Sequence, residues 1–307
     1  AEADESDASF LQLQPLATVL TNIDSDHLAF YDNSFDKLRE AFVGFVHNLP
    51  FYGLLVACID DPEVRRLLPD LQRQIVTYGF SPDADYCGSG FHQDGPRAKF
   101  RVTHQGQTLD VSLGLPGRHN ALNAMAAIAI ATEEGIPQSA IAAGLEAFSG
   151  VGRRFEFVGE FSVEGGAFVL VDDYGHHPTE VAATLSAARE CWPDRRVVMV
   201  YQPHRYTRTA QLFDEFVRVL SDVDVLILAD VYAAGEAPIE GARGAQLFEA
   251  VGRSEAYFVE SLDEAPALLD SIVAPDDVVL TQGAGRTSLL AGELKNRWSN
   301  RLKEGTE

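Results

Sequence analysis

The sequence predicts an α/β protein of two domains, the second built on a mostly parallel, doubly wound sheet. Beyond residue 153, apolar runs of strand length alternate with amphipathic stretches of helix length, the pattern of a parallel sheet with covered faces. The chain has 307 residues, of which 46 % are hydrophobic, enough for two full cores. Between two such blocks, Ser149-Gly150-Val151-Gly152 interrupts the pattern and reads as a hinge. The expected domains are therefore 1–152 and 153–307.

In the first block the periodicity predicts strands at 17–23, 53–59 and 74–80 and helices at 35–47 and 62–68. The stretch 100–115 alternates across Gln105-Gly106 and reads as a hairpin. Alanine-rich 119–133 and then 137–148 read as helices. In the second block, strands are expected at 155–161, 167–171, 196–201, 223–229, 256–259 and 277–281. Helices should fill the gaps at 178–191, 209–221, 243–252 and 263–272, with a last one at 286–302.

Bulk chemistry narrows the function. A formal charge of −22 argues against a nucleic-acid partner. No apolar run reaches the roughly 18 residues that a membrane span needs, so a soluble, cytoplasmic protein is expected. Three dispersed cysteines form neither a disulfide framework nor a zinc pattern, and the acidic start is no signal peptide. Two origins of the charge stay open, an ordinary acidic protein and one from a high-salt setting.

Five polar clusters stand at the ends of these elements. Asp172-Asp173-Tyr174-Gly175-His176-His177 follows a buried-strand run and precedes a helix opened by Pro178. Ligands bind open α/β sheets at such strand ends, and a core has no use for five titratable side chains in six positions. Gln202-Pro203-His204-Arg205-Tyr206-Thr207-Arg208 ends the next strand, where Arg205 and Arg208 suit a carboxylate. Arg153 and Arg154 at the hinge form a phosphate clamp or a structural ion pair. Gly117-Arg118-His119-Asn120-Ala121-Leu122-Asn123 opens a helix that could seat an anion or a base. The carboxylates of 2–7 with Asp24, Asp26 and His27 suit Mg2+ or Mn2+ holding phosphate. Gly283-Ala284-Gly285 lacks the third glycine of a dinucleotide fingerprint and reads as a tight turn.

The blocks EADESDASF (2–10), TNIDSDH (21–27), PGRHNALN (116–123), RRFE (153–156), DDYGHHPTE (172–180), QPHRYTRT (202–209) and YAAGEAPI (232–239) resemble, in order, the Mur ligases, and their alanine-adding branch in particular. The resemblance implies part of a central ATP-binding domain followed by a Rossmann-like, amino-acid-binding C-terminal domain. It implies an ATP-dependent ligase of peptidoglycan precursor synthesis that joins L-alanine to the lactyl carboxylate of UDP-N-acetylmuramate through an acyl phosphate. Glu2 and His27 then resemble the Mg2+ (or Mn2+) ligands, with Glu5 in reserve. His119, Asn120 and Asn123 resemble adenine contacts, Arg154 a phosphate contact and Asp173 a ribose contact. Tyr174, His176, Arg205 and Arg208 resemble the residues that gather the amino acid and the muramyl carboxylate; His27, His176, Arg205 and Arg208 are the expected catalytic set.

The family's phosphate loop, Gly-x-x-x-x-Gly-Lys-[Ser/Thr], does not occur in the sequence. The resemblance therefore implies the C-terminal two-thirds of such an enzyme, without its UDP-binding domain and inactive as an isolated chain. No lysine occurs within 41–46, where other branches carry a modified one. Arg286 stands where the resemblance leads one to expect asparagine or serine after the last glycine. Two alternatives remain, a recycling ligase that attaches a whole peptide and a non-catalytic nucleotide- or amino-acid-binding fragment.

Overall fold

Two six-stranded sheets, each sandwiched by helices, make up the protein in a computed structural model that describes residues 1–304. The chain divides into two compact units, Ala1–Ser149 and the remainder from Gly150.

The first unit has strands β1 (Ala17–Leu20), β2 (Leu54–Cys58), β3 (Gln74–Gly79), β4 (Tyr86–Asp94), β5 (Arg97–His104) and β6 (Gln107–Leu113), side by side in chain order. β1 to β4 run parallel and β4 to β6 antiparallel. Strand alternation divides the core between the two faces. Leu55 and Ala57 pack with α1 (Phe35–His47) and α2 (Pro62–Leu67), whereas Val56 and Cys58 pack with α3 (Arg118–Glu133) and α4 (Gln138–Ala147). Helix α1 starts where Ser34 accepts a hydrogen bond from Lys37 N, and α2 where Asp61 caps Glu63 and Val64.

Two expectations for this unit need correction. β1 stops at Leu20, so Thr21 to Ile23 belong to the loop that leads to His27. The expected hairpin is three strands, because β4 pairs with β5. Gly88 and Gly90 interrupt the alternation in β4, and the register shifts between Ser89 and His92, which hides the strand from a period-two reading.

The second unit contains β7 (Glu156–Val163), β8 (Gly166–Asp173), β9 (Val197–Tyr201), β10 (Val225–Ala229), β11 (Ala256–Val259) and β12 (Val278–Gln282). Their spatial order is β11-β10-β9-β12-β8-β7, parallel except for the β7–β8 hairpin. Helices α5 (Pro178–Cys191), α7 (Phe213–Leu220) and α8 (Gly244–Val251) cover one face, and α9 (Ala265–Ile272) and α10 (Thr287–Glu304) the other. Within β9, Val197, Met199 and Tyr201 point to the first face and Val198 and Val200 to the second. The sheet is doubly wound, as expected. The single helix expected over 209–221 is two: α6 (Tyr206–Gln211) and α7, with buried Leu212 at the joint.

Candidate active site

The order of the second sheet sets the site. The chain leaves β8, passes the place later taken by β12, and enters β9; it then runs outward to β11 before returning. The carboxyl ends of β8, β12 and β9 therefore lie side by side at the point of reversal, where such sheets hold ligands. The loops after β8, β9, β10 and β12 meet there.

The loop after β8 is held rigidly. Asp173 accepts from Phe155 N (2.9 Å), Gly175 N (2.7 Å) and Gln282 Nε2 (2.8 Å), and is buried. Its neighbour Asp172, also buried, accepts from Thr281 Oγ1 at 2.6 Å and from Arg153 Nε at 3.3 Å. Burial pushes the Asp172 carboxyl up to about 6, against the pull of Thr281 and Arg153. Helix α5 then begins in a capping box: His177 Nδ1 accepts from Thr179 N, while Glu180 Oε2 accepts from His177 N at 3.0 Å and His176 N at 2.8 Å.

These bonds present Tyr174 and His176. The Tyr174 ring meets His176 edge-on at 5.3 Å and lies beneath the guanidinium groups of Arg153 (4.9 Å) and Arg154 (5.5 Å). His176 faces His204 from the β9 loop at 5.6 Å, and His204 stacks on Tyr232 from the β10 loop at 5.5 Å. Burial, then the charges of His176, Arg208 and Arg205, push the His204 imidazole down to about 4. His204 is therefore neutral at pH 7 amid cations.

The two arginines of the β9 loop differ in setting. Arg208 is 5 % exposed, with Nη1 3.3 Å from His204 O and 3.4 Å from His204 Nδ1. The Arg205 side chain is 48 % exposed, with Nη1 3.8 Å from Glu236 Oε1. Burial would raise the Glu236 carboxyl, but the Thr207 N–H and hydroxyl and the Arg205 charge hold it below its usual range.

Of the two readings open for the hinge arginines, Arg153 takes the structural ion pair. Arg153 turns inward and binds Asp172, Gly283 O (2.6 Å) and Thr287 Oγ1 (3.1 Å). It is a latch, leaving Arg154, 48 % exposed and 3.4 Å from Glu180, as the phosphate candidate. Asp172, Tyr232 and Glu236 carried no assigned role in the sequence reading. Asp172 was marked only as a member of the titratable cluster after β8, and Tyr232 and Glu236 only by their place in the YAAGEAPI block.

In the first unit, the acidic start folds back onto His27. Glu5 Oε1 lies 3.1 Å from His27 Nδ1, Asp26 Oδ2 lies 3.7 Å from Nε2, and Tyr31 OH donates to Glu5 O. Burial, then Glu5, Asp7 and Asp4, push the Tyr31 phenol up to about 12. Glu2 is exposed, and Glu5 is the carboxylate that meets the imidazole. Among the described residues no three His, Cys, Asp or Glu side chains close on one point. One imidazole flanked by carboxylates still fits Mg2+, which takes few protein ligands and fills its shell with water and phosphate oxygens.

At the start of α3, Asn120 is buried with Nδ2 donating to Pro116 O at 2.7 Å, whereas Asn123 is exposed and His119 half-buried. The two amides thus do not share one open face. Arg118 lies over the Phe80 ring at 3.8 Å, and Asp60 accepts from Phe80 N and Ser81 N, both at 2.9 Å.

This fold, with a carboxylate–imidazole site in one unit and an aromatic–arginine loop cluster in the other, has close counterparts. Residues 2–131 match the Mur ligase middle domain and residues 153–285 match the Mur ligase, glutamate ligase domain. The chain belongs to the Mur ligase family and comprises its middle and C-terminal domains. More particularly, it is similar to the UDP-N-acetylmuramate-alanine ligase MurC from Thermotoga maritima. The identity is 28 %, with 97 % of this chain and 63 % of that one covered and a TM-score of 0.78. Two further structures share the fold: MurF ligase from T. maritima in complex with ADP, and a murein peptide ligase from Psychrobacter arcticus. The first is 18 % identical over 94 % of this chain and 63 % of the other (TM-score 0.73); the second is 20 % identical over 95 % and 59 % (TM-score 0.62). The chain thus spans about three-fifths of the length of these relatives.

Proposed function

We propose that this chain supplies the middle and C-terminal domains of a cytoplasmic, ATP-dependent ligase that joins L-alanine to the lactyl carboxylate of UDP-N-acetylmuramate. The observation that carries the reading is the grouping of Tyr174, His176, Arg205 and Arg208 at the switch point of the second sheet, in a chain whose fold is similar to that of MurC.

A carboxylate is a poor electrophile at neutral pH, so the reaction needs a leaving group. The lactyl carboxylate attacks the γ-phosphate of ATP, giving ADP and an acyl phosphate; the alanine amine attacks the acyl carbon, and phosphate departs. His27 with Glu5 or Glu2 would hold Mg2+ or Mn2+, which would offset the negative charge of these reactants. Arg154 offers a half-exposed cation to the phosphates, with His119 and Asn123 as the adenine contacts and buried Asn120 bracing that turn through Pro116 O. Asp173 orders the loop and turns what remains of its acceptor capacity to the ribose. Arg205 takes the incoming carboxylate, backed by the buried charge of Arg208. His176 and Tyr174 enclose the amino acid.

The 307 residues contain no phosphate loop of the Walker type, so alone they bind nucleotide weakly and do not turn over. The test is ADP release by a polypeptide that joins this sequence to such a loop and a UDP-binding domain. The amines offered are L-alanine, glycine, L-serine and a tripeptide. L-Alanine should be preferred; preference for the tripeptide identifies a recycling ligase, and ADP release by none of the four refutes the reading. Arg205→Ala should abolish ligation and leave nucleotide affinity within about threefold of wild type, since the arginine faces the carboxylate.

A further inference from the structure

The loop after β10 packs along the arginine loop. Tyr232 N donates to Pro203 O at 2.8 Å and Arg205 N to Tyr232 O at 2.9 Å, an isolated parallel bridge that pairs His204 with Tyr232. Further along, Glu236 accepts from Thr207 N at 3.0 Å and from Thr207 Oγ1 at 2.7 Å. Arg205, the residue in between, is the N-cap of α6 and has φ +72°. That is a region L side chains rarely adopt, and such strain persists only where the surroundings over-determine it.

An N-cap residue ordinarily satisfies the first N–H groups of its helix with its own side-chain acceptor. Arginine has no acceptor. Helix α6 must borrow one, and Glu236 provides it from 29 residues away in sequence. We propose that Glu236 is a positioning residue. By capping α6 it holds Arg205 in its left-handed conformation and aims the guanidinium at the carboxylate of the amino-acid or muramyl substrate. The proposal rests on the ligase reading for the identity of that carboxylate. The cap, and not the charge pair, does the positioning: 3.8 Å to a half-exposed arginine is a weak ion pair, whereas the two Thr207 bonds are short.

The experiment compares wild type, Glu236→Ala and Glu236→Gln, the last keeping an acceptor while removing the charge. Amide exchange at Thr207, followed by NMR in the 307-residue chain, should quicken about tenfold or more in Glu236→Ala and stay within about threefold in Glu236→Gln, the loss expected for a missing cap. In the ligating polypeptide, KM for L-alanine should rise about tenfold in Glu236→Ala, with KM for ATP unchanged and the rise largely reversed in Glu236→Gln. Unchanged Thr207 exchange in Glu236→Ala overturns the cap. A Glu236→Gln variant as impaired as the alanine variant also overturns it, since the charge would then be what matters. If Glu236→Ala fails to fold, Thr207→Val, which removes half of the cap, should raise the same KM by a smaller factor; no rise overturns the proposal. Should wild-type protein ligate no amino acid, the substrate reading falls and takes the carboxylate role with it. Normal ligation with equal KM in all variants removes Glu236 alone.

Discussion

Replacing Arg153 by methionine keeps the apolar stem and deletes the guanidinium that binds Asp172, Gly283 O and Thr287. Breaking a buried ion pair from one side costs about 3–5 kcal/mol, and because Arg153 is 25 % exposed the lower end, about 3 kcal/mol, applies. The loss should depend on pH. Asp172 titrates at about 6 in the folded protein against 3.8 for its ordinary value. Its folded pKa is raised, so the folded state binds the extra proton and stability falls as pH rises from about 4 through about 6, by about 3 kcal/mol in all. Without Arg153 the folded pKa climbs higher, and the fall with rising pH deepens. At pH 5 the carboxyl is mostly protonated and needs no guanidinium, so the defect should shrink to about 1 kcal/mol for the two remaining bonds. Urea denaturation followed by tryptophan fluorescence reads this unit alone, because both tryptophans, Trp192 and Trp298, lie in it. Trp192 also stacks on Phe155, two residues from the mutation. Equal losses at pH 5 and 7.5 would refute the reasoning, as would an added Asp172→Asn change that recovers nothing at pH 7.5.

The remaining predictions use the same denaturation measurement. His204 has a depressed folded pKa, so the unfolded chain takes up the proton first and stability falls as pH drops from about 6.5 to about 4. His204→Asn should therefore gain about 1 kcal/mol on wild type between pH 7 and pH 5, a figure halved for solvent screening of this half-exposed ring; no relative gain would show that the imidazole is not held neutral. A Cβ on Gly175 would stand 2.7 Å from Asp173 Oδ1 and press on Gln282 Nε2. Gly175→Ala should cost about 1–3 kcal/mol, and an unchanged midpoint would mean that the loop is slack.

What the sequence disclosed depended on how local each cause was. Helix α1 was legible because Ser34 and the periodic apolar residues act within a dozen positions. Strand β8 was legible as an apolar run, and the polar loops announced themselves by residue type. Strand β4 was not, since its bulge destroys the alternation. The inward turn of Arg153 was out of reach because its partners Gly283 and Thr287 lie 130 and 134 residues away. Nor could one read that Asn120 would spend its amide on Pro116 O, or that α6 would be capped from the next loop but one. Each of these is a tertiary decision taken by residues that look unremarkable in their own neighbourhood.

The place of β12 has a consequence for the order in which the protein comes into being. Among the described residues it is the strand furthest along the sequence, yet it lies in the middle of its sheet and bonds to β8 and β9 on either side. Until residues 278–282 have left the ribosome, β8 and β9 have no partner between them, and the loops bearing His176 and His204 have nothing to hold them together. A nascent chain that has not yet reached β12 therefore carries strands with open edges, the state most exposed to mispairing. The cluster of loops after β8 and β9 cannot assemble before β12 is available to join those two strands. A stop codon just upstream of residue 278 should leave the loops after β8 and β9 without the strand that joins them.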